Sequence, residues 1–256
     1  MEKPWSEDFD FYFGRLGDEP MGVFVDLGVA AHLPLAEHNV RIRLLIQMQA
    51  PRPDGMRAPD ESERLFQLED QLVESLAARF DAIMLGRVTV GGMMDVVLYG
   101  PGTVMGQIEG VREVVDGVRD DYHIDIDIAP DISWEFYREV LWPDAQEYQF
   151  IMSNRVLRQL EQLDDDLTRP RPVDHVVFLP SSEAAQGAVE KLRGLGFVTT
   201  EPEPQEGEGF RLAFSDKMAP VADAIHERVR AILSIVLPLQ GIYDGWGCPL
   251  AKHLAD

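Results

Sequence analysis

Alternating apolar and polar residues mark the first two elements of the chain. In the segment FDFYF, Phe9, Phe11 and Phe13 alternate with polar side chains, which is the period of a half-buried strand. The segment VFVDL, residues 23–27, has the composition of a second strand, and RLGDEPMG between them contains the Gly and Pro of a turn. The pattern therefore predicts a β-hairpin at the start of the chain.

The residues that follow predict the order β-α-β-β-α-β. The strand RIRLLIQMQ precedes a helix that starts at DESE, where Asp60 and Glu63 have the spacing of a capping box. Gly91 and Gly92 suit a tight hairpin between the strands AIMLGRVTV and MMDVVLY. The glycine-containing helix GQIEGVREVVDGVRD and the strand YHIDIDI complete the set. The predicted inward-facing residues of the first strand and helix are Ile42, Leu44, Ile46, Met48, Leu65, Leu68, Leu72 and Leu76.

The same order of elements recurs in the second half of the chain. DHVVFLP predicts a strand, and SSEAAQGAVEKLRGLG predicts a helix with Ser181 or Ser182 as N-cap and Gly196 as C-cap. FVTTEPE and FRLAFSD predict two strands joined by a QEGEG turn, and Pro220 suits the first turn of a long helix. GIYDGWGCPL predicts the last strand. The predicted apolar stripes contain Val189, Leu192, Leu195, Phe210, Leu212, Phe214, Val221, Ile225, Val229, Ile232 and Val236.

A further helix separates the two halves. Pro143 interrupts the chain, and Asp144 with Glu147 has capping-box spacing. Val156, Leu160 and Leu163 continue an amphipathic helix, which ends in the polar linker LDDDLTRPRP. We therefore predict two domains, residues 1–143 and 144–256.

The repeated order is that of the ferredoxin-like arrangement. We predict an α+β protein of two ferredoxin-like units with antiparallel sheets, the first preceded by the extra hairpin. In this arrangement the last strand of each unit lies at an edge, beside the first strand, and exposed edges need protection. On the last strand of the first unit, the charged residues His123, Asp125 and Asp127 protect the edge. On the last strand of the second unit, Gly245, Gly247 and Pro249 protect it by bending the strand and removing a hydrogen-bond donor.

The charge of the protein narrows the classes of partner. With 45 acidic against 23 basic residues the formal net charge is −22, which disfavours direct binding to nucleic acid or anionic lipid and favours a basic protein partner. The single cysteine excludes an internal disulfide and a cysteine-based zinc site. The acidic start MEKPWSEDFD is unlike a secretory leader, and no apolar run approaches a membrane span. We expect a cytoplasmic protein.

Catalytic and metal-binding patterns are weak in this sequence. The HIDID segment places one His and two Asp on one strand face, which is more typical of a solvated surface than of a metal site. We interpret the acidic run 164–166 as a solvated helix end. Cys248 with His175 or His253 as base is a candidate nucleophile, but no helix start depresses the pKa of its thiol. We expect no enzyme activity, no cofactor and no metal.

The segment GIYDGWGCPL and the strand DHVVFLP provide the candidate binding residues. The predicted topology makes these two strands neighbours, and a bulge at Gly245 would bring Tyr243 and Trp246 nearer to each other. Trp and Tyr are typical anchors of protein interfaces, and equally of protein cores. For His175, the sequence favours a packed histidine that is hydrogen-bonded to a neighbouring group over a binding residue. The candidate partner-binding residues are Asp174, His175, Tyr243, Asp244, Gly245 and Trp246.

Three segments give the second half a resemblance to a known family. YDGWG at 243–247, LGFVTTEPEP at 195–204 and the acidic helix end before VDHVVFL resemble the regulator of ribonuclease activity B family, bacterial inhibitors of ribonuclease E. The resemblance covers roughly Gln149 to Leu250. It implies a non-enzymatic module that regulates by binding a protein, with a ribonuclease as the candidate partner.

The first half resembles a different bacterial family, an uncharacterised domain-of-unknown-function group numbered six-nine-five. The segments that carry the resemblance are DFYFGRLGDEPMGVFVDLG, ESERLFQLEDQLVESL and GRVTVGG. The resemblance to this family does not indicate a reaction or a ligand. Two alternatives for the whole protein stay open: an immunity-type inhibitor of a basic toxin, and a small-molecule sensor whose pocket is lined by Trp134, Trp142 and Trp246.

Overall fold

The chain folds into two compact units, Met1–Pro143 and Asp144–Asp256. A computed structural model describes residues 3–205 and 209–252. Each unit contains one antiparallel sheet covered by helices, so the prediction of an α+β protein is confirmed.

The first unit contains a six-stranded sheet. Its strands lie in the order β1-β2-β4-β5-β3-β6, and every neighbouring pair is antiparallel. The last strand, β6, lies at one edge beside β3, and the β1–β2 hairpin extends the other edge. The elements are β1 (Phe9–Leu16), β2 (Glu19–Asp26), β3 (Val40–Gln47), α1 (Pro59–Phe80), β4 (Ile83–Val90), β5 (Met93–Gly100), α2 (Ile108–Val118) and β6 (Ile124–Pro130).

Helices α1 and α2 cover one face of this sheet. All eight predicted inward-facing residues of β3 and α1 are buried in the core on this face. A buried ion pair lies at the side of the core, where Arg87 Nη1 on β4 is 2.7 Å from both carboxylate oxygens of Glu69 on α1. Gly91 and Gly92 have φ values of 57° and 80°, which confirms the tight hairpin between β4 and β5.

The opposite face of the first sheet is covered by the segment 131–141, which the sequence pattern did not predict. Tyr99 on β5 points away from the helices, and its ring stacks on Trp134 at 4.1 Å. Its hydroxyl donates to Asp131 Oδ2 at 2.6 Å. Tyr137 donates to the Asp26 carbonyl at 2.7 Å and begins a single π-helical turn, Tyr137–Leu141. The central part of the sheet in the first unit is therefore covered on both faces.

The second unit is built on a sheet with the strand order β11-β7-β10-β8. The last strand, β11, again lies at an edge beside the first. Helices α4 and α5 pack on one face, and α3 packs against α5 and β11. The elements are α3 (Ala145–Gln162), β7 (Arg171–Leu179), α4 (Ser182–Gly194), β8 (Val198–Thr199), β9 (Glu203–Pro204), β10 (Phe210–Met218), α5 (Ala222–Val236) and β11 (Ile242–Gly247).

Two helix starts differ from the prediction. Helix α1 begins at Pro59 with Ala58 as N-cap and no side-chain cap, so the capping box of Asp60 and Glu63 is wrong. Proline is favoured at the first helical position because it has no N–H to satisfy. In contrast, Pro220 lies before α5, whose N-cap is Val221. Ser181 caps α4 as predicted and accepts a hydrogen bond from the Ala184 amide.

The segment FVTTEPE also differs from the prediction. It forms two short strands, β8 and β9, which pair separately with β10. Residues 206–208 of the predicted QEGEG turn lie outside the described residues. Three residues assigned to apolar stripes are partly exposed instead, because each lies at or beyond a helix end: Leu163 at 51%, Leu195 at 44% and Val221 at 36%.

Two neighbouring carboxyl groups, those of Asp144 and Glu147, lie at the start of helix α3. Asp144 is the N-cap, and its Oδ1 accepts from the amides of Gln146 and Glu147. Partial burial, and then the hydrogen bond that protonated Glu147 donates to Asp144, raise the pKa of Glu147 to about 7. The pKa of Asp144 is lowered because its hydrogen bonds, first from Glu147 and then from the backbone, outweigh burial. Glu147 is therefore the member of the pair whose carboxyl group gains or loses its proton near neutral pH.

This pair predicts a pH dependence of stability. Because the pKa of Glu147 is raised on folding, its favourable contribution is present below its ordinary value of 4.5 and is lost as pH rises through about 7. We expect Glu147→Gln to gain ~0.5 kcal/mol of stability relative to the natural chain between about pH 5 and about pH 8. Urea unfolding at both pH values measures this gain. Glu161→Gln, an exposed carboxyl on α3, is the control for removal of one charge, and equal changes in both variants would contradict the assignment.

Candidate functional site

A β-bulge in β11 determines which side chains of the YDGWG segment face the core. Tyr243 lies opposite Val177 and Gly245 lies opposite Val176, so Asp244 is the extra residue. Gly245 has a φ of 101°, a conformation that favours glycine. The predicted bulge is confirmed, and it places Tyr243 and Trp246 on the same face of the sheet, toward the helices.

A buried polar network lies under this bulge. His175 Nδ1 on β7 is hydrogen-bonded to the Tyr243 hydroxyl at 2.8 Å. The other ring nitrogen, Nε2, lies 3.8 Å from Asp216 Oδ1 on β10, and Asp216 Oδ2 lies 2.8 Å from Arg228 Nε on α5. These contacts join three strands and one helix of the second unit.

The burial of this network corrects part of the expected binding patch. His175 is 1% exposed and Tyr243 is 3% exposed, so neither side chain can contact a partner directly. The imidazole stacks on Phe214 at 5.3 Å and meets the edge of Phe197 at 5.6 Å. Burial and the nearby Asp216 carboxylate raise the pKa of Tyr243. His175 is therefore a packed core histidine, and this position does not suit a base that acts on a dissolved substrate.

Helix α3 holds β11 from the same side. Trp246 Nε1 donates to Ser153 Oγ at 3.0 Å, and Gln149 Nε2 donates to the Tyr243 carbonyl at 2.7 Å. Ser153 and Gln149 are buried, whereas Trp246 is half-buried. The indole therefore combines a core contact with a partly exposed surface.

The opposite face of the second sheet carries the exposed members of the patch. Asp174, Val176 and Phe178 alternate along β7 with the buried residues of the core face. Ile242, directly opposite Phe178, is 68% exposed, and Val198 on β8 is 72% exposed. We call the surface formed by Asp174, Val176, Phe178, Val198 and Ile242 the open face. Asp244 is exposed at the bulge on its edge strand.

Cys248 is held by a basic side chain beyond the end of β11. Its Sγ accepts a hydrogen bond from Arg171 Nε at 3.3 Å, and Arg171 also forms an ion pair with Asp165. Burial lowers the pKa of Arg171, but the hydrogen bonds to Cys248 and Asp165 outweigh it and raise the pKa overall. Asp165 is 6% exposed and accepts from the Ala251 amide at 2.7 Å. The interpretation of residues 164–166 as a solvated helix end is therefore wrong for Asp165, and His253 lies outside the described residues.

The HIDID segment lies on the edge strand β6 and forms ion pairs. Asp127 Oδ2 is 2.7 Å from Arg41 Nη2 and 3.4 Å from Arg43 Nη1, and His123 lies 3.4 Å from Asp125. In the part of the chain that the structure describes, no group of three or more His, Cys, Asp or Glu side chains is placed to hold a metal ion. None of the described helices combines the length and the apolar character needed to cross a membrane.

Trp134 is not available to line the pocket that the small-molecule interpretation requires. Trp134 is completely buried in the first unit, between Tyr99 and Tyr137. Because its ring is enclosed by neighbouring aromatic side chains, it has no surface to offer a ligand.

Comparison with known proteins gives a family for each half of the chain. A model described as a family of unknown function, DUF695, matches residues 7–142, more than half of the chain. The chain belongs to the DUF695 family. A second model, regulator of ribonuclease activity B, matches residues 150–248. Both resemblances predicted from the sequence are confirmed.

Other comparisons add little to these two matches. No curated protein gives a significant match. An unknown protein from Galdieria sulphuraria is 11% identical with a TM-score of 0.21, and covers 84% of this chain and 100% of its own. A putative glycine cleavage system transcriptional repressor is 8% identical with a TM-score of 0.24, and covers 82% of this chain and 98% of its own. Likeness at this level carries no argument about fold or function.

Several residues of the network in this DUF695 protein were missed by sequence reasoning. Asp216, Arg228, Gln149 and Ser153 support the bulge from three different elements. One signal was available for Asp216, since it continues the inward-facing positions of Leu212 and Phe214 along β10. A carboxylate at an inward-facing position predicts a buried polar partner. The helix residues gave no comparable signal.

The buried network predicts that removal of the Tyr243 hydroxyl destabilises the fold. We expect Tyr243→Phe to lower the free energy of unfolding by about 1–3 kcal/mol, because Nδ1 of the buried His175 loses its hydrogen-bond partner. Urea unfolding measures this loss. Asp244→Asn, at the exposed neighbouring position, should stay within about 0.5 kcal/mol of the natural chain. A loss in Tyr243→Phe no greater than in this control would contradict the role of the hydroxyl.

Proposed function

We propose that this protein is a non-enzymatic regulator that acts by binding another protein through its C-terminal domain, residues 144–256. The observation that carries the proposal is the match of residues 150–248 to the regulator of ribonuclease activity B family. The partner we propose is a ribonuclease of the E type or another basic protein. The N-terminal domain, residues 1–143, has no function that this match assigns.

The element order of the second unit supports a ferredoxin-like interaction domain. With the short strands β8 and β9 counted as one position, the order after α3 is β-α-β-β-α-β, with the last strand beside the first and the helices on one face. The first unit has the same order after its hairpin, so we propose the same class for both. A sheet covered on one face only leaves the other face available for a partner.

We propose the open face and its edge as the docking surface. Val198 and Ile242 supply exposed apolar area, and the carboxylates of Asp174 and Asp244 add negative charge. Apolar contact area with charge at its margin is the usual composition of a protein interface. His175 and Tyr243 support this surface from the core, and the half-buried Trp246 lies on the same edge strand.

The charge of the protein supports a basic partner. A formal charge of −22 attracts a positively charged surface over distances comparable to the Debye length and repels RNA. Binding to the ribonuclease itself, not to its RNA, is the mode of regulation that agrees with this charge.

Charge reversal on the docking surface tests the proposal. We expect the double variant Asp174→Lys with Asp244→Lys to weaken binding to purified ribonuclease E about tenfold or more. The expected change is in the association rate as well as the affinity, and it should shrink at high salt because exposed charges are screened. Biolayer interferometry at low and high salt measures both quantities, and an RNA-cleavage assay measures inhibition.

The matched control reverses charge on the helix-covered side. Glu190→Lys is an exposed position on α4, and it should keep most of the affinity of the natural protein. Equal losses in the control and a single Asp174→Lys variant would mean that only the overall charge matters. Absence of any binding to the ribonuclease by the natural protein would contradict a ribonuclease partner.

A further inference from the structure

A groove in the first unit lies between the β1–β2 hairpin and the loop before α1. Helix α1 packs against β4 and β5, whereas two phenylalanines on the same face of the hairpin stay exposed, Phe11 at 39% and Phe13 at 68%. The groove has a volume of about 550 Å³, within the range of small-molecule sites. Residues that line this hairpin groove include Phe11, Phe13, Phe24, Met56, Arg57 and Arg87.

Three phenylalanines, Phe11, Phe13 and Phe24, form the aromatic part of the hairpin groove. Phe11 and Phe13 meet edge to face at 4.7 Å, and Phe11 lies opposite Phe24 in the hairpin register. Contiguous exposed apolar area on a soluble protein is characteristic of a binding site. The groove therefore favours a ligand with an apolar body.

The arginines that line the hairpin groove are not all paired with carboxylates. Arg87 is neutralised by Glu69, and Arg52 pairs with Asp54 at 2.6 Å. For Arg57, in contrast, no described carboxylate lies within 4.0 Å of the guanidinium. A single positive charge is therefore left in an apolar groove of a protein whose net charge is −22.

The guanidinium of Arg57 is fixed in place with donors to spare. Its Nε donates to Ser62 Oγ at 3.0 Å, and its Cζ lies 3.8 Å from the Phe66 ring centroid. Within residues 3–205 and 209–252 the two terminal nitrogens have no hydrogen-bond acceptor. Burial, and then repulsion from Arg87, lowers the pKa of Arg57, but a guanidinium stays charged at neutral pH. The free N–H groups of these two nitrogens form a rigid fork that matches the geometry of a carboxylate.

We propose that the hairpin groove binds a small apolar carboxylic acid, with its carboxylate on Arg57 and its hydrocarbon body against Phe11, Phe13 and Phe24. This site lies in the DUF695 domain and is independent of the function proposed for the second unit. A carboxylate suits the site better than a phosphate, because one unpaired guanidinium neutralises one charge. The aromatic walls select against strongly hydrated anions such as acetate.

Binding of matched acid and alcohol probes tests this assignment. We expect the full chain to bind phenylbutyrate or decanoate saturably in isothermal titration calorimetry, and to bind the corresponding neutral alcohols at least about tenfold more weakly. Arg57→Met, which keeps the apolar stem, should weaken binding of the acids by a similar factor while leaving the alcohols unchanged. Arg57→Lys should bind the acids with intermediate affinity, because it keeps the charge and loses the fork.

Two further variants keep the result interpretable. Arg112→Met removes an exposed arginine on α2 and should leave acid binding unchanged. Phe13→Ser removes an exposed ring and should weaken the acids and the alcohols alike without a change in thermal stability. Absence of saturable binding of both acids at millimolar concentration, equal affinity for acid and alcohol, or full acid binding by Arg57→Met would overturn the proposal. Binding only of a peptide that ends in a free phenylalanine carboxylate would also overturn it, because it would assign the groove to a protein terminus.

Discussion

Every strand in this protein has two sides, and an apolar side is stable only if something covers it. This constraint orders most of what the structure shows. In the first unit, helices cover one face of the sheet and the segment 131–141 covers the other. In the second unit, helices cover one face and leave the other face open. The two exposed apolar surfaces that carry our proposals, the open face and the hairpin groove, are both places where a sheet extends beyond its cover.

The sequence predicted most of the elements because their periodicity is strong. Ile42, Leu44 and Ile46 alternate without interruption, and their strand lies where the pattern places it. Helix starts were less predictable, since Pro59 and Asp60 are both acceptable at the beginning of α1. The segment around Trp134 and Tyr137 was missed because its cover of the sheet depends on contacts with Tyr99 and Asp26, which are distant in sequence.

The sequence predicted which residues of the candidate site lie close together, but not which of them are exposed. The topology places His175 opposite Trp246, as the strand order implied. Burial was harder to predict, because histidine and tyrosine are intermediate between the residue types that are usually buried and those that are usually exposed. The decisive contacts of Tyr243 are with His175 and Gln149, which belong to two other elements. A sequence pattern does not contain distances between elements, so it could not separate the buried residues from Asp174 and Asp244.

The bulge in β11 determines which insertions and deletions in this edge strand keep Tyr243 and Trp246 on the inner face of the sheet. Because Asp244 is skipped in the pairing with β7, the spacing from Tyr243 to Trp246 behaves as an even number of steps. If one residue between these two rings were deleted and the bulge were lost, both rings would still point inward from a regular strand. A chain that gained one and paired regularly would also keep them inward, whereas straightening the strand at its present length would turn the indole outward. The length of this short segment is therefore tied to its irregularity: neither can change alone without moving an aromatic ring from the interior to the solvent.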